Sequence, residues 1–378
     1  MSRPLRVLHL SSGNLYGGIE TLLHTVAREQ GRHPPLSHAF ALCFEGRLAA
    51  ELRDAGAELH LLGPVRTRRP WSVWHARRVL RALLRSGRFD AVLCHSLWPQ
   101  ALFGPAVRAV GVPLVLFQHD ALSGRHWVDR WARVTPPDLV LANSRFTAGT
   151  LASVYPQVPW RVTHCPLPLP PPRLEASERA RVREELGAAE GDAVIFHASR
   201  IQERKGQRLL LEALGRLRAV PGWRAWFAGG AQRPDEEVYL EGLRAQARHL
   251  GIEGRLRFLG QRSDVSRLLR AADIHCHPNL LPEAFGLVFV EALQAGLPVV
   301  TTPMGGALEI VDASCGVFVH PEPESLALAL RRLIEDPQAR VRLGAAGPAR
   351  AAALSDAGGF LRGMEEALRA LAEQAVPV

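Results

Sequence analysis

The stretch Ala193-Val-Ile-Phe-His-Ala-Ser-Arg200-Ile-Gln-Glu-Arg-Lys205-Gly-Gln-Arg-Leu209-Leu-Leu-Glu-Ala-Leu-Gly-Arg-Leu217 decides how this chain is read. Residues 193–196 are an apolar run of strand length, and residues 209–217 carry leucines at helical spacing. A polar loop with two cations joins them. Such a strand-loop-helix unit places Arg200 and Lys205 at the carboxyl end of a strand, the edge where open α/β sheets bind ligands. Lys205 is also the only lysine in a chain whose Lys+Arg total is 46. A rotatable ammonium and a planar guanidinium grip phosphate differently, so a lone lysine beside an arginine predicts an anion there, a phosphate first. The plainer alternative for the lone lysine is chance.

Working outward, the same rhythm fills the chain. In the first half, strand-like runs fall at 6–10, 38–42, 58–61, 91–94, 113–117, 138–142 and 161–165, with helical segments between most of them. The second half restarts the pattern at 193–196, 225–228, 256–259, 274–277, 298–301 and 317–320. Alternating strands and helices imply parallel, doubly wound sheets. The run Cys165-Pro-Leu-Pro-Leu-Pro-Pro-Pro172 suits neither helix nor central strand and reads as a linker. The expected organisation is α/β: a domain over 1–165, a Pro-rich linker over 166–172, a second domain over 173–350, and helices over 351–378 able to cross back to the first. Two such domains leave a central cleft where a ligand can be gripped.

Composition narrows the classes. Hydrophobic content of 47% and charged content of 22% fit an ordinary globular protein of 378 residues, long enough for two cores. No apolar stretch reaches the roughly 20 residues of a membrane span, and the start runs directly into a strand, so a cytoplasmic location is expected. The five cysteines show no C-x-x-C pairing and read as reduced core residues. Charge is unevenly shared: up to residue 170 there are 20 arginines against 10 acids, and beyond it 26 cations against 27 acids. The densest part, Arg66 to Arg85, reads from Pro70 as an amphipathic helix bearing Trp71 and Trp74. Basic residues with interfacial tryptophans suit an anionic bilayer, here the inner face of the plasma membrane. The alternative is a solvated helix whose tryptophans are core. Nucleic acid is not expected, because no recognition motif accompanies the charge.

The strongest local signal is Pro282-Glu283-Ala-Phe285-Gly286-Leu287-Val-Phe-Val-Glu291-Ala-Leu-Gln-Ala-Gly296-Leu-Pro298. A helix starting near Phe285 offers free amides and a positive dipole end to a diphosphate. Glu283 and Glu291 lie about two turns apart, so both can meet one elongated ligand. Read singly, Glu283 is a capping acid and Glu291 a solvated one.

Glu283 and Glu291 as E-x7-E, preceded by Arg200 and Lys205, with Gly17-Gly18-Ile-Glu20 near the start, together resemble glycosyltransferase family 4 over essentially the whole chain. The resemblance implies a retaining, GT-B-fold hexosyltransferase that uses a UDP- or GDP-sugar and a hydroxyl acceptor on a glycan or lipid-linked glycan. The resemblance further implies a place in surface polysaccharide or glycolipid synthesis. By the same resemblance, Arg200 and Lys205 hold the donor diphosphate with amides near Phe285, Gly286 and Leu287. Glu291 binds ribose hydroxyls, and Glu283 contacts the transferred sugar. Gly17 and Gly18 let backbone approach phosphate, and His119, with Asp120 beside it, faces the sugar. Arg262 and Asp264 occupy the loop that lines the base in relatives. No D-x-D motif or His/Cys cluster calls for a metal, and no cofactor beyond the donor is expected; Arg200 and Lys205 take a metal's place. Alanine at Lys205 or Glu283 is expected to cut transfer at least about tenfold while leaving the thermal transition nearly unchanged.

Several residues depart from the pattern or add little to it. Gly229-Gly230 replaces a Gly-x-Gly and receives no ligand role, and Asn279 and Ala284 stand where relatives have serine and glycine. Gly305-Gly306 and Glu309 fit either a donor-side turn or a plain one. His24, His33, His60 and His75 show no partners by spacing. The competing readings are a sugar-nucleotide epimerase or phosphorylase on the same scaffold and a non-catalytic nucleotide-sugar-binding protein. A dinucleotide dehydrogenase is disfavoured, because no G-x-G-x-x-G follows the first strand.

Overall fold

A computed structural model describes residues 3–14, 17–168 and 172–374. The chain divides into two compact units, Met1–Pro168 with Ser355–Val378, and Leu169–Leu354. Of the expected linker, residues 169–171 lie outside the described residues.

Seven parallel strands form the first unit's sheet: β1 (Leu5–Ser11), β2 (Leu36–Leu42), β3 (Glu58–Leu61), β4 (Ala91–His95), β5 (Leu114–Gln118), β6 (Leu139–Ala142) and β7 (Trp160–Val162). Their order is β3-β2-β1-β4-β5-β6-β7. The second unit's sheet holds β8 (Ala193–Ala198), β9 (Trp223–Ala228), β10 (Leu256–Phe258), β11 (Ile274–His277), β12 (Val299–Thr301) and β13 (Gly316–Phe318), ordered β10-β9-β8-β11-β12-β13. Every run read as a strand is one, with ends moved by a few residues. In both sheets the order reverses beside the first strand, at β1/β4 and at β8/β11, and ligands of doubly wound sheets sit outside the carboxyl ends at such reversals.

The strands are near-continuous apolar runs because helices cover both faces. β4, β5 and β8 are buried at every position. The first core joins Leu8, Leu10, Val92, Leu116 and Val140 to Leu80, Leu84, Leu102 and Phe103. The second joins Ile195, Phe227 and Ile274 to Leu210, Leu214, Leu330 and Leu333. All five cysteines are buried and free.

The terminal helix Ala357–Gln374 belongs to the first unit. Leu167 N donates to Ser355 O at 3.2 Å, the Phe360 ring lies 6.0 Å from Phe117, and His33 Nε2 is 2.9 Å from Glu365 Oε2. His33 therefore has a partner that spacing did not show. So does His60, whose Nε2 lies 2.9 Å from Glu58 Oε1.

The basic segment forms the helix Pro70–Gly87, with proline preset at its first turn. Val73, Ala76, Leu80 and Leu84 are its buried stripe. Its tryptophans are not core, which overturns that alternative: Trp71 is 66% and Trp74 58% exposed, and the Arg78 guanidinium lies 5.8 Å above the Trp74 ring. Arg77 instead turns inward, its Nε donating to Leu102 O at 2.5 Å. Among the described residues no helix is long and apolar enough to cross a membrane.

Candidate functional site

The second unit gathers its chemistry at the β8/β11 reversal. After β8, a short turn at Glu203–Lys205 and Gly206 lead into the helix Gln207–Arg216. Leu280 N donates to Arg204 O at 2.9 Å, which fastens this loop to the one after β11. The Lys205 side chain is buried, and its ammonium pairs with Glu283 Oε2. Burial lowers the ammonium's pKa; Glu283 opposes that, and Arg204 and Arg200 add to it. One carboxylate thus holds a desolvated cation against two like charges.

Glu283 is aimed by close backbone packing. It forms a parallel bridge with Gly305, and Gly306 N donates to Glu283 O at 2.7 Å. Gly305 has φ +62°, and a Cβ there would collide with the Glu283 carbonyl oxygen. A Cβ on Gly306 would sit 2.6 Å from Phe285 Cα. The Gly305-Gly306 turn therefore serves the Glu283 loop, a role its sequence left open. The helix that follows runs over Leu287–Gln294, two residues later than the expected start, with Gly286 at φ +99° before it and Phe285 buried. Phe289 N donates to Gly286 O at 2.9 Å, while the Leu287 and Val288 amides precede the helix's own hydrogen-bond ladder.

Glu291, on that helix, is half-buried, and burial pushes its carboxyl up to about 7. The E-x7-E acids therefore sit in different settings: one is ion-paired, the other is held near neutrality.

The Arg200 carbonyl accepts from Gln207 Nε2 at 2.8 Å and from Ser199 Oγ at 2.9 Å. Arg200, Arg204 and Arg233 line a groove of about 690 Å³. Arg233 escaped the sequence reading; its only signal was an Arg-Pro pair opening the helix Pro234–His249 after β9. Behind the groove, buried Glu236 accepts from Gln232 N at 2.7 Å and Gln202 Nε2 at 3.0 Å. Burial pushes its carboxyl up, but these bonds and the charges of Arg200 and Arg233 outweigh that and hold it below the ordinary range. Asn279 is buried just beyond β11, with Nδ2 unpartnered among the described residues.

Arg262 and Asp264 are not drawn into this group. They form a two-pronged pair with each other, Nε to Oδ1 and Nη2 to Oδ2 both at 2.7 Å, at the start of the helix Val265–Ala271. Gly229, given no ligand role, packs against the Ser199 carbonyl.

In the first unit, Gly17 caps the helix Gly18–Glu29 after β1, at the β1/β4 reversal. Its backbone is extended, φ −170°, and a Cβ would meet only Glu20 Oε2, at 3.8 Å. Glycine there is not required by its own backbone. Ser96, just beyond β4, was missed: it has φ +77°, and its buried Oγ has no partner among the described residues. Residues other than glycine seldom adopt such a backbone. His119, just beyond β5, is buried, with Nε2 3.1 Å from His95 Nδ1 and Nδ1 4.0 Å from Cys165 Sγ. Asp120 is exposed, and its carbonyl accepts from Gln118 Nε2 at 2.7 Å.

Comparison with known proteins follows the same division. The sequence model described as Glycosyltransferase Family 4 matches residues 16–170, and that described as Glycosyl transferases group 1 matches residues 178–350. The chain is 32% identical over 302 residues to a D-inositol 3-phosphate glycosyltransferase of Nocardioides sp., covering 71% of this chain and 65% of that protein. A protein of the same name from Segniliparus rotundus is 31% identical over 244 residues, 62% of this chain and 54% of that one. The matches thus span about half to two thirds of these relatives. Among solved structures, Anabaena Alr3699/HepE in complex with UDP and glucose superimposes with a TM-score of 0.85 at 26% identity, covering 97% of this chain and 100% of that one. WaaG, a glycosyltransferase involved in lipopolysaccharide biosynthesis, shares the fold with a TM-score of 0.72 at 20% identity, covering 96% and 99%.

Proposed function

Because the chain belongs to the family 4-like glycosyltransferases, we propose that it moves a hexosyl unit from a nucleoside diphosphate sugar, UDP- or GDP-linked, to a hydroxyl of a glycan or lipid-linked acceptor. The carrying observation is the buried Lys205 ammonium, set beside Arg200 at the β8/β11 reversal and held by Glu283. A desolvated ammonium with guanidinium neighbours is a site for a dense anion, and a diphosphate is one.

In this reading Lys205, Arg200 and the Leu287 and Val288 amides opening the helix Leu287–Gln294 receive the diphosphate. As the anomeric carbon–oxygen bond breaks, negative charge grows on the departing diphosphate, where fixed cations stabilise it without reorganising. Glu291, near neutral, exchanges hydrogen bonds with ribose hydroxyls, and Glu283 meets hydroxyls of the transferred sugar. His119 meets the sugar as well, and the Gly17-Gly18 turn gives phosphate close access to backbone. Arg262 and Asp264 remain the base-lining proposal. The acceptor oxygen forms the new bond on the face the diphosphate leaves, its proton passing to a diphosphate oxygen, so configuration is retained.

A thermal-shift panel of nucleoside diphosphates and their sugars tests the donor site, since a ligand of the native state raises its transition. UDP or GDP is expected to raise it, with nucleoside diphosphate released from the matching sugar only when a hydroxyl acceptor is present. No shift with any nucleotide would refute the site, and equal release without acceptor would refute transfer.

The exposed tryptophans and arginines of Pro70–Gly87 support docking on an anionic membrane, which would bring the enzyme to a lipid-linked acceptor. Sedimentation with anionic liposomes is expected. It should weaken in high salt and after neutralising exposed Arg78 and Arg85, because such attraction is screened.

A further inference from the structure

Four buried histidines cross the first unit's sheet in a single row: His38 in β2, His9 in β1, His95 closing β4 and His119 just past β5. The strands are neighbours in that order. Register explains the row: His38 pairs with Val7, His9 with Leu93 and His95 with Phe117. Each histidine therefore lies two residues beyond the partner of the one before, which keeps all four side chains on one face.

The rings meet head to tail. His38 Nδ1 is 2.8 Å from His9 Nε2, His9 Nδ1 is 2.9 Å from His95 Nε2, and His95 Nδ1 is 3.1 Å from His119 Nε2. These are hydrogen-bond separations between nitrogens, too close to admit an ion between the rings. Burial keeps the imidazoles neutral: His38 is lowered to about 4, His119 to about 3, and His9 and His95 fall well below the ordinary range.

A neutral imidazole carries one N–H and one lone pair, so the row has two self-consistent arrangements, every ring protonated at Nδ1 or every ring at Nε2. The ends choose between them. His38 Nε2 is buried without a partner among the described residues. Protonation at Nε2 would strand an N–H there, and orphaned buried donors are rarer than unsatisfied acceptors. Protonation at Nδ1 leaves only a lone pair at His38 and carries the last N–H to His119 Nδ1. Among the described residues that N–H meets the Cys165 sulfur at 4.0 Å, a weak acceptor. The His119 backbone is fixed as well, its carbonyl accepting from Asn143 Nδ2 at 3.1 Å.

We propose that His38, His9 and His95 are positioning residues that lock His119 as the Nδ1–H tautomer, so that its ring offers one aimed donor to an oxygen of the substrate, hydroxyl or phosphate. The tautomer stands on the row alone; the substrate role rests on the proposed transfer reaction.

The test is nitrogen NMR of the full chain with ¹⁵N-labelled histidine, in which the two tautomers give distinct ring shifts. His119 is expected to be protonated at Nδ1, and a His119 protonated at Nε2 overturns the proposal. His95→Leu should release His119 into a mixture of tautomers, whereas His95→Asn, which keeps an amide donor near the Nδ1 position, should restore it. An unchanged His119 in His95→Leu also overturns the proposal. In transfer assays kcat should fall about tenfold in His95→Leu with little change in donor KM, and recover in His95→Asn. Equal kcat in all three proteins would remove the positioning role. Absence of transfer in the wild-type chain would defeat the reaction instead, and the tautomer measurement would still decide the row.

Discussion

Lys205 and Glu283 satisfy one another across 78 positions of sequence, and neither can be removed quietly. Sequence alone suggested that alanine at either would spare the thermal transition; the buried pair reverses that. Lys205→Met should lower stability by about 3 kcal/mol, because breaking a buried pair leaves an uncompensated charge. Lys205→Met with Glu283→Gln should recover most of it while nucleotide still fails to raise the transition. Melting curves with and without UDP and GDP separate the two effects. Glu291 makes a pH prediction. Its folded-state pKa is raised from 4.5 to about 7, so the native state holds a proton that the unfolded chain has released. That contribution to stability is fully present below the ordinary carboxyl value and is lost as the pH rises through about 7. Glu291→Gln should therefore melt higher than wild type at pH 8 and close to it at pH 4. A constant gap at both values would show that the carboxyl is not desolvated.

At the scale of elements, the Glu283 loop depends on the turn after β12. Gly305→Ala adds a Cβ at positive φ against the Glu283 backbone, so it should destabilise by more than about 1 kcal/mol and reduce transfer, as melting and assays would show. The strands were legible in the sequence because parallel strands covered on both faces are written as unbroken apolar runs, and Ala193–Ala198 is one. That Arg200 and Lys205 share the loop at one sheet edge was legible because strand-loop-helix order fixes which edge they occupy. Direct contact between Lys205 and Glu283 was not, since it depends on how the β8 and β11 loops pack. Gly305 looked like any turn until its neighbour was visible. The histidine row stayed hidden for a related reason: each ring sits alone in its own strand, and only the stagger of register lines them up.

For the whole molecule, the helix Ala357–Gln374 completes a unit whose sheet ended 195 residues earlier, at Val162. Phe360→Ala should lower the thermal transition by about 3 kcal/mol through loss of a buried ring against Phe117, and leave nucleotide binding by the second unit intact. A loss of nucleotide binding without a change in melting would contradict that separation. The return of the chain also sets an order of events on the ribosome. The second unit is wholly synthesised before the last piece of the first emerges, so the nascent first sheet must wait with the Phe117 side uncovered. A chaperone that shields apolar surface during elongation would have its longest task there.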